Sequence, residues 1–248
     1  MNLFFPLLIS TIAGLSTTLG ALLIYLKITP QNINKFITLV LSFSLAIMIG
    51  ISITDLIPTS LFPLLKLKHG LLYSSIAFIS GILLIKYLIH KINKIEKNQS
   101  NLYQLGILNM IVLMLHNFPE GIATFLSSYQ DLHLGLKLSF AIMLHNIPEG
   151  ISIAVPLYYA THSKFKAIKA AFISGLSEPF GALLAFLLLK NFITNELISI
   201  ILLFVSSIMI TLSIEKIYPE ALKYKENKFI IIGLVLGTLL ILLNHFFL

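Results

Sequence analysis

The chain has 248 residues, 57% of them apolar and 11% charged, with a mean hydropathy of +0.96. A soluble core of this length has no room to hide so much apolar surface, so lipid must be part of its solvent. All 17 basic residues are lysine and there is no cysteine, which removes guanidinium recognition of phosphate, structural disulfides and thiolate metal ligands together.

A ~30 Å hydrocarbon core takes about 20 apolar residues of helix. Eight such stretches are predicted along the chain, near 3–26, 36–57, 71–89, 105–128, 134–160, 167–189, 197–218 and 229–248. The runs are continuous and do not alternate, which favours helices over barrel strands. The expected fold class is an all-α membrane protein forming one domain, 1–248. The first stretch has no basic residue ahead of it and no small-residue cleavage pattern after it, so it reads as a retained helix and not a secretory signal. The longest loop, near 91–103, is polar and too short for a second domain.

Orientation follows from the lysines. Thirteen fall in the odd-numbered loops or their flanking helix ends: Lys27, Lys35, Lys86, Lys91, Lys94, Lys97, Lys164, Lys166, Lys169, Lys216, Lys223, Lys225 and Lys228. The even side holds four, Lys66, Lys68, Lys137 and Lys190. The lysine-rich side is cytoplasmic by the positive-inside rule, so both termini are expected to be extracytoplasmic. The same placement explains the net charge of +7 as a topology signal, and nucleic acid is excluded as a partner.

An ionisable group in mid-span costs roughly 2.5–3.5 kcal/mol on insertion scales, which makes each one a functional candidate. Glu96, Asp131, Glu196, Glu220 and Glu226 fit at helix ends or in loops, and His69, His90, His133, His162 and His245 at interfaces or termini. Glu120, Glu149, Glu178, His116 and His145 fall near span centres. The central residues also repeat: Leu115-His116-Asn117-Phe118-Pro119-Glu120-Gly121-Ile122 returns as Leu144-His145-Asn146-Ile147-Pro148-Glu149-Gly150-Ile151. These are consecutive spans, so the copies run in opposite directions. Inverted repeats meeting at the midplane, with interrupted helices there, are a common transporter arrangement.

The spacing has a chemical meaning. His and Glu four apart share a helical face, and the Asn lies three before the Glu. Each copy thus directs an imidazole, an amide and a carboxylate toward one point. The proline donates no N–H, which leaves the carbonyls of Leu115 and Leu144 open to water or a cation. The glycine after each Glu admits a close neighbour. A weaker repeat relates Ile51-Ser52-Ile53-Thr54-Asp55-Leu56-Ile57-Pro58 to Leu212-Ser213-Ile214-Glu215-Lys216-Ile217-Tyr218-Pro219. It suggests a 3+2+3 inverted-repeat bundle, with spans one to three related to six to eight. Glu178, in Ser174-Gly175-Leu176-Ser177-Glu178-Pro179, adds a third central acid.

Imidazoles with carboxylates and amides form a mixed N/O donor set that suits zinc, iron and similar divalent ions. Three glutamates around one point invite two cations. Donors without thiolates strip water yet allow release, as transport requires. A zinc hydrolase would favour His-Glu-x-x-His or three histidines with an open water position, and neither pattern occurs in mid-span. A passive channel stays as the nearer alternative.

With these motifs in view, the chain resembles the ZIP (Zrt-/Irt-like) family of metal transporters, in its bacterial ZupT-like branch. The most specific matches are 116–125, 145–156 and 174–179. The resemblance implies an eight-helix carrier that brings zinc, or iron, manganese, cobalt or cadmium, into the cytoplasm by an elevator-type motion, in the cell inner (plasma) membrane. It implies a first metal held by His116, Glu120, His145 and Glu149. A second would take Asn117, Asn146 and Glu178 and share the two glutamates, and Met48 would sit beside the first. No cofactor is implied, since the metal is cargo. The partners expected are membrane lipid, divalent metal ions and a second copy of the chain as a homodimer. Two features depart from the family pattern: the third-to-fourth loop has no histidine cluster, and Lys216 stands where an acid is usual beside Glu215. The roles of Asp55, Glu215 and Lys216 stay open at this stage.

Overall fold

A computed structural model describes residues 4–26, 29–95, 100–130, 132–189 and 194–247. Glu96, Lys97, Asp131, Lys27 and Lys190 lie outside the described residues, as do the side chains of Lys94, Lys137, His145 and His245. No strand occurs among the described residues. The helices are α1 (Phe4–Ala21), α2 (Ile33–Ile51), α3 (Ile57–Leu65), α4 (Gly70–Ile95), α5 (Asn101–Gln130), α6 (Leu132–Thr161), α7 (Lys164–Leu184), α8 (Asn195–Leu212), α9 (Tyr218–Lys223) and α10 (Asn227–Phe247). Among the described residues six segments are long and apolar enough to cross a membrane: Phe4–Tyr25, Ile33–Leu65, Gly70–Lys91, Asn101–Phe125, Lys164–Leu187 and Asn195–Lys223. The protein is an all-α, multi-pass membrane protein.

Local chemistry starts the helices. Ser163 caps α7 by accepting from Lys166 N–H, and Thr194 caps α8 by accepting from Leu197 N–H. Ser100 does the same for α5 through Tyr103 N–H. Between α2 and α3 the helix does not end but widens into a π-turn at Ser52–Leu56, and a second π-turn at Ser213–Ile217 joins α8 to α9. Pro58 and Pro219 follow these turns. A proline ring crowds the carbonyl four residues back, and a wider turn relieves that crowding while the helix continues.

This corrects one expectation. Pro119 and Pro148 do not interrupt their helices; α5 and α6 run through them. One missing hydrogen bond is tolerated where neighbouring turns on both sides are packed. The 91–103 loop is also shorter than expected, because α4 reaches Ile95 and α5 begins at Asn101. Glu220 is at a helix end but is buried, with Lys223 Nζ 2.7 Å from its carboxylate.

Four helices form the centre. α5 and α6 pack antiparallel: a Cβ on Gly106 would meet Leu157, Asn109 donates to Ser152 O at 2.8 Å, and Gly135 lies on Ser128. α1 lies along α6, and α7 lies along α5. Around them α2 pairs with α10, and α4 with α8. α4 turns Leu71, Leu72, Ile76 and Leu83 outward and α10 turns Ile231, Val235 and Leu239 outward, apolar faces suited to lipid.

Candidate metal centre

The repeated motif places its polar groups where α5 and α6 cross between α1 and α7. His116, Asn117, Glu120, Asn146, Glu149 and Glu178 are all 0–5% exposed. Nε2 of His116 lies 3.0 Å from Glu120 Oε1 on its own helix and 3.5 Å from Glu149 Oε1 on α6. The first distance is the i, i+4 pairing expected from the spacing. The second brings the two copies of the motif together. Donor atoms on a tetrahedron of ~2.1 Å bonds are separated by ~3.4 Å, so these atoms are spaced like neighbouring ligands of one cation. Among the described residues no three His, Asp or Glu side chains already form a ready coordination sphere. His116 is instead turned onto the carboxylates. His145 is on α6 one turn before Glu149, but its side chain is outside the described residues.

Glu178 comes from α7. Asn146 Nδ2 donates to its Oε2 at 2.9 Å and to Ala13 O at 3.0 Å, tying α6 to both α7 and α1. Asn117 Nδ2 reaches Ser174 O at 3.4 Å. Glu178 Oε1, Asn117 Oδ1 and Asn146 Oδ1 are buried with no hydrogen-bond partner among the described residues. A buried acceptor left without a partner costs about 1–3 kcal/mol. All three belong to residues whose other polar atom bonds across the same crossing. Residues 98–163 contain a single lysine, Lys137, so little positive charge is available nearby in sequence to balance the carboxylates. A divalent cargo fits that deficit.

The glycines let the helices come this close. A Cβ on Gly121 would collide with Glu178 O, and one on Gly150 would collide with Thr17 O. Each glycine follows a site glutamate, so the backbone of α7 or α1 lies against the turn that carries the carboxylate.

The remaining expected residues are on α2 and in the π-turns at 52–56 and 213–217. Met48 is buried on α2, and its carbonyl accepts from Ser52 Oγ at 2.7 Å, one turn ahead of the π-turn. Asp55 is exposed in that π-turn. Glu215, in the other, pairs with Lys86 of α4 at 3.0 Å. The part that α1 plays at the crossing was not predicted, although the helix itself was. Its signal is a third repeat: Gly14-Leu15-Ser16-Thr17-Thr18-Leu19-Gly20-Ala21-Leu22-Leu23 against Gly175-Leu176-Ser177-Glu178-Pro179-Phe180-Gly181-Ala182-Leu183-Leu184.

A sequence profile described as ZIP zinc transporter matches residues 86–245. The chain belongs to the ZIP family. Its relatives include proteins named zinc transporter ZupT from Streptococcus mutans, 35% identical over 96% of each chain, and Chlorobium luteolum, 36% identical over 96% of each. Another, from Clostridium perfringens, is 31% identical over 95% of this chain and 93% of its own. These ZupT-like relatives cover both copies of every repeat described above. A ZIP protein is a transporter and not an enzyme, so the buried carboxylates have no role as a hydrolytic acid–base pair.

Proposed function

We propose that this ZIP protein imports zinc into the cytoplasm across the plasma membrane through a binuclear site at the centre of the bundle. The observation that carries the reading is the approach of His116 Nε2 to carboxylates from both motif copies, at 3.0 and 3.5 Å. The first ion takes His116, Glu120, His145 and Glu149, with Met48 at its flank. The second takes Asn117, Asn146 and Glu178, and the two glutamates bridge. Imidazole and carboxylate replace water around the incoming cation, and the absence of thiolates keeps the binding reversible.

The proposed frame is a single domain of eight spans in a 3+2+3 inverted repeat with both termini outside. Supporting it, two of the three π-turns among the described residues, Ser52–Leu56 and Ser213–Ile217, are 161 residues apart; the third is Ala185–Leu189. The close approaches also recur: Gly81 against Phe204 O and Ser207 Oγ, Gly237 against Phe43 O and Ala46 Cβ. The excess of lysine on one side supports the sidedness.

The test is uptake by cells expressing the wild type or Glu149→Ala, across zinc, iron, manganese, cobalt and cadmium. Zinc uptake should saturate at low metal and fall to background in the variant. Unimpaired uptake in Glu149→Ala contradicts the site, and flux that stays linear with concentration favours a channel.

A further inference from the structure

α1 and α7 meet the central pair in the same way. Their ten-residue segments, 14–23 and 175–184, are identical at seven positions. A Cβ on Gly14 would strike Gly175 O, and one on Gly175 would strike Gly14 O. The contact of Gly121 with Glu178 O has its counterpart in Gly150 with Thr17 O. That of Gly181 with Phe118 O has its counterpart in Gly20 with Ile147 O. The bond from Asn117 to Ser174 O corresponds to the bond from Asn146 to Ala13 O. Each α1 residue in this set is 161 positions before its α7 counterpart, and each α5 residue is 29 before its α6 counterpart.

The two segments differ at Thr17/Glu178, Thr18/Pro179 and Leu19/Phe180, and the first of these exchanges a hydroxyl for a carboxylate. Glu178, which receives Asn146 at 2.9 Å, has Thr17 as its counterpart. The counterpart of Asn146 is Asn117. Thr17 Oγ1 and Asn117 Oδ1 are both buried, and neither has a hydrogen-bond partner among the described residues. A buried threonine in a helix commonly returns its hydroxyl to the carbonyl one turn back, as Thr11 does to Leu7 O at 2.7 Å in the same helix. Thr17 does not do this.

From this geometry, and resting on the function proposed above, we infer that Thr17 is a cation-binding residue of the centre. Its hydroxyl and the Asn117 amide oxygen form the neutral counterpart of the Glu178–Asn146 pair. The cargo then meets two half-sites of like shape and unlike charge, a carboxylate on the α7 side and a hydroxyl on the α1 side. A neutral oxygen holds a dication less tightly than a carboxylate does, so the α1 side is the weaker position, from which release is easier.

Thr17→Val keeps the shape and removes the oxygen, and Thr17→Ser keeps the oxygen and removes the methyl. Zinc binding by calorimetry in detergent, with zinc uptake in proteoliposomes, separates the two effects. The expected result is that Thr17→Val weakens binding of one zinc by about tenfold, in the range seen when a group supporting a metal site is lost, and that Thr17→Ser recovers most of the loss. Wild-type binding in Thr17→Val overturns the assignment. Equal impairment in both variants also overturns it, because that pattern marks packing. Glu149→Ala run alongside separates the two proposals: if it still takes up zinc, the metal centre itself fails. If it is silent while Thr17→Val behaves as wild type, only the role of Thr17 falls.

Discussion

The central helix α5 and the peripheral helix α4 solve opposite problems. Of its span window, α5 has 67% buried and α4 only 22%. The centre gathers glycines, amides and carboxylates at backbone contact distance. The outer face of α4 presents Leu71, Leu72, Ile76 and Leu83, and its charge, Lys86, is paired at a half-exposed position. Lipid is as apolar as leucine, so the exposed face of α4 gains little from being covered by another helix. The centre must pack closely, because its polar groups have neither water nor lipid to turn to. Tolerance to substitution should therefore fall steeply from outside to inside.

Three measurements can break that comparison or sharpen it. The largest effect is expected for Gly150→Val. Its side chain has to displace the Thr17 carbonyl, which is backbone and cannot rotate away, so destabilisation of about 3 kcal/mol or more is expected. Thermal unfolding in detergent reads it, and a midpoint within a degree of wild type would refute the close-approach account. Asn109→Leu comes next. It removes the 2.8 Å bond that ties α5 to Ser152 O of α6, and about 0.6–1.7 kcal/mol is the range for such bonds between membrane helices. A double-mutant cycle is not available against a backbone carbonyl, so the comparison is Asn109→Leu against the lipid-facing Leu83→Ala. The smallest effect belongs to Lys86→Ala. The Lys86–Glu215 pair is 3.0 Å long, but its side chains are 54% and 36% exposed, so about 0.2–1 kcal/mol is expected, reduced further by salt. A loss as large as that of Gly150→Val would mean the outer layer is not the permissive one.

What the sequence made legible was what carries an insertion penalty. Glu120, Glu149, Glu178 and His116 stood out because a charge in mid-span needs a reason, and all four are buried at the crossing. Helix existence was legible from unbroken apolar runs. The π-turns were not, although the 51–58 and 212–219 repeat marked their position, because a proline can kink, end or widen a helix and local sequence does not choose among these. For the same reason the continuity of α5 and α6 through Pro119 and Pro148 was not foreseen. Thr17 escaped notice because a hydroxyl in a span is cheap and common. Only the contacts of Gly150 and the segment shared with α7 draw attention to it.

The π-turns at 52–56 and 213–217 have a consequence for the chain beyond them. Each accommodates one residue more than an α-turn would, and one residue corresponds to ~100° of rotation about the helix axis. The faces presented by α3 and α9 are thus set by a phase slip and not by the periodicity of the helices that precede them. Relaxing 52–56 to plain α-helix with all five residues kept would swing fully buried Leu64 about a quarter-turn out of its packing, whereas losing one of the five at the same time would bring it back.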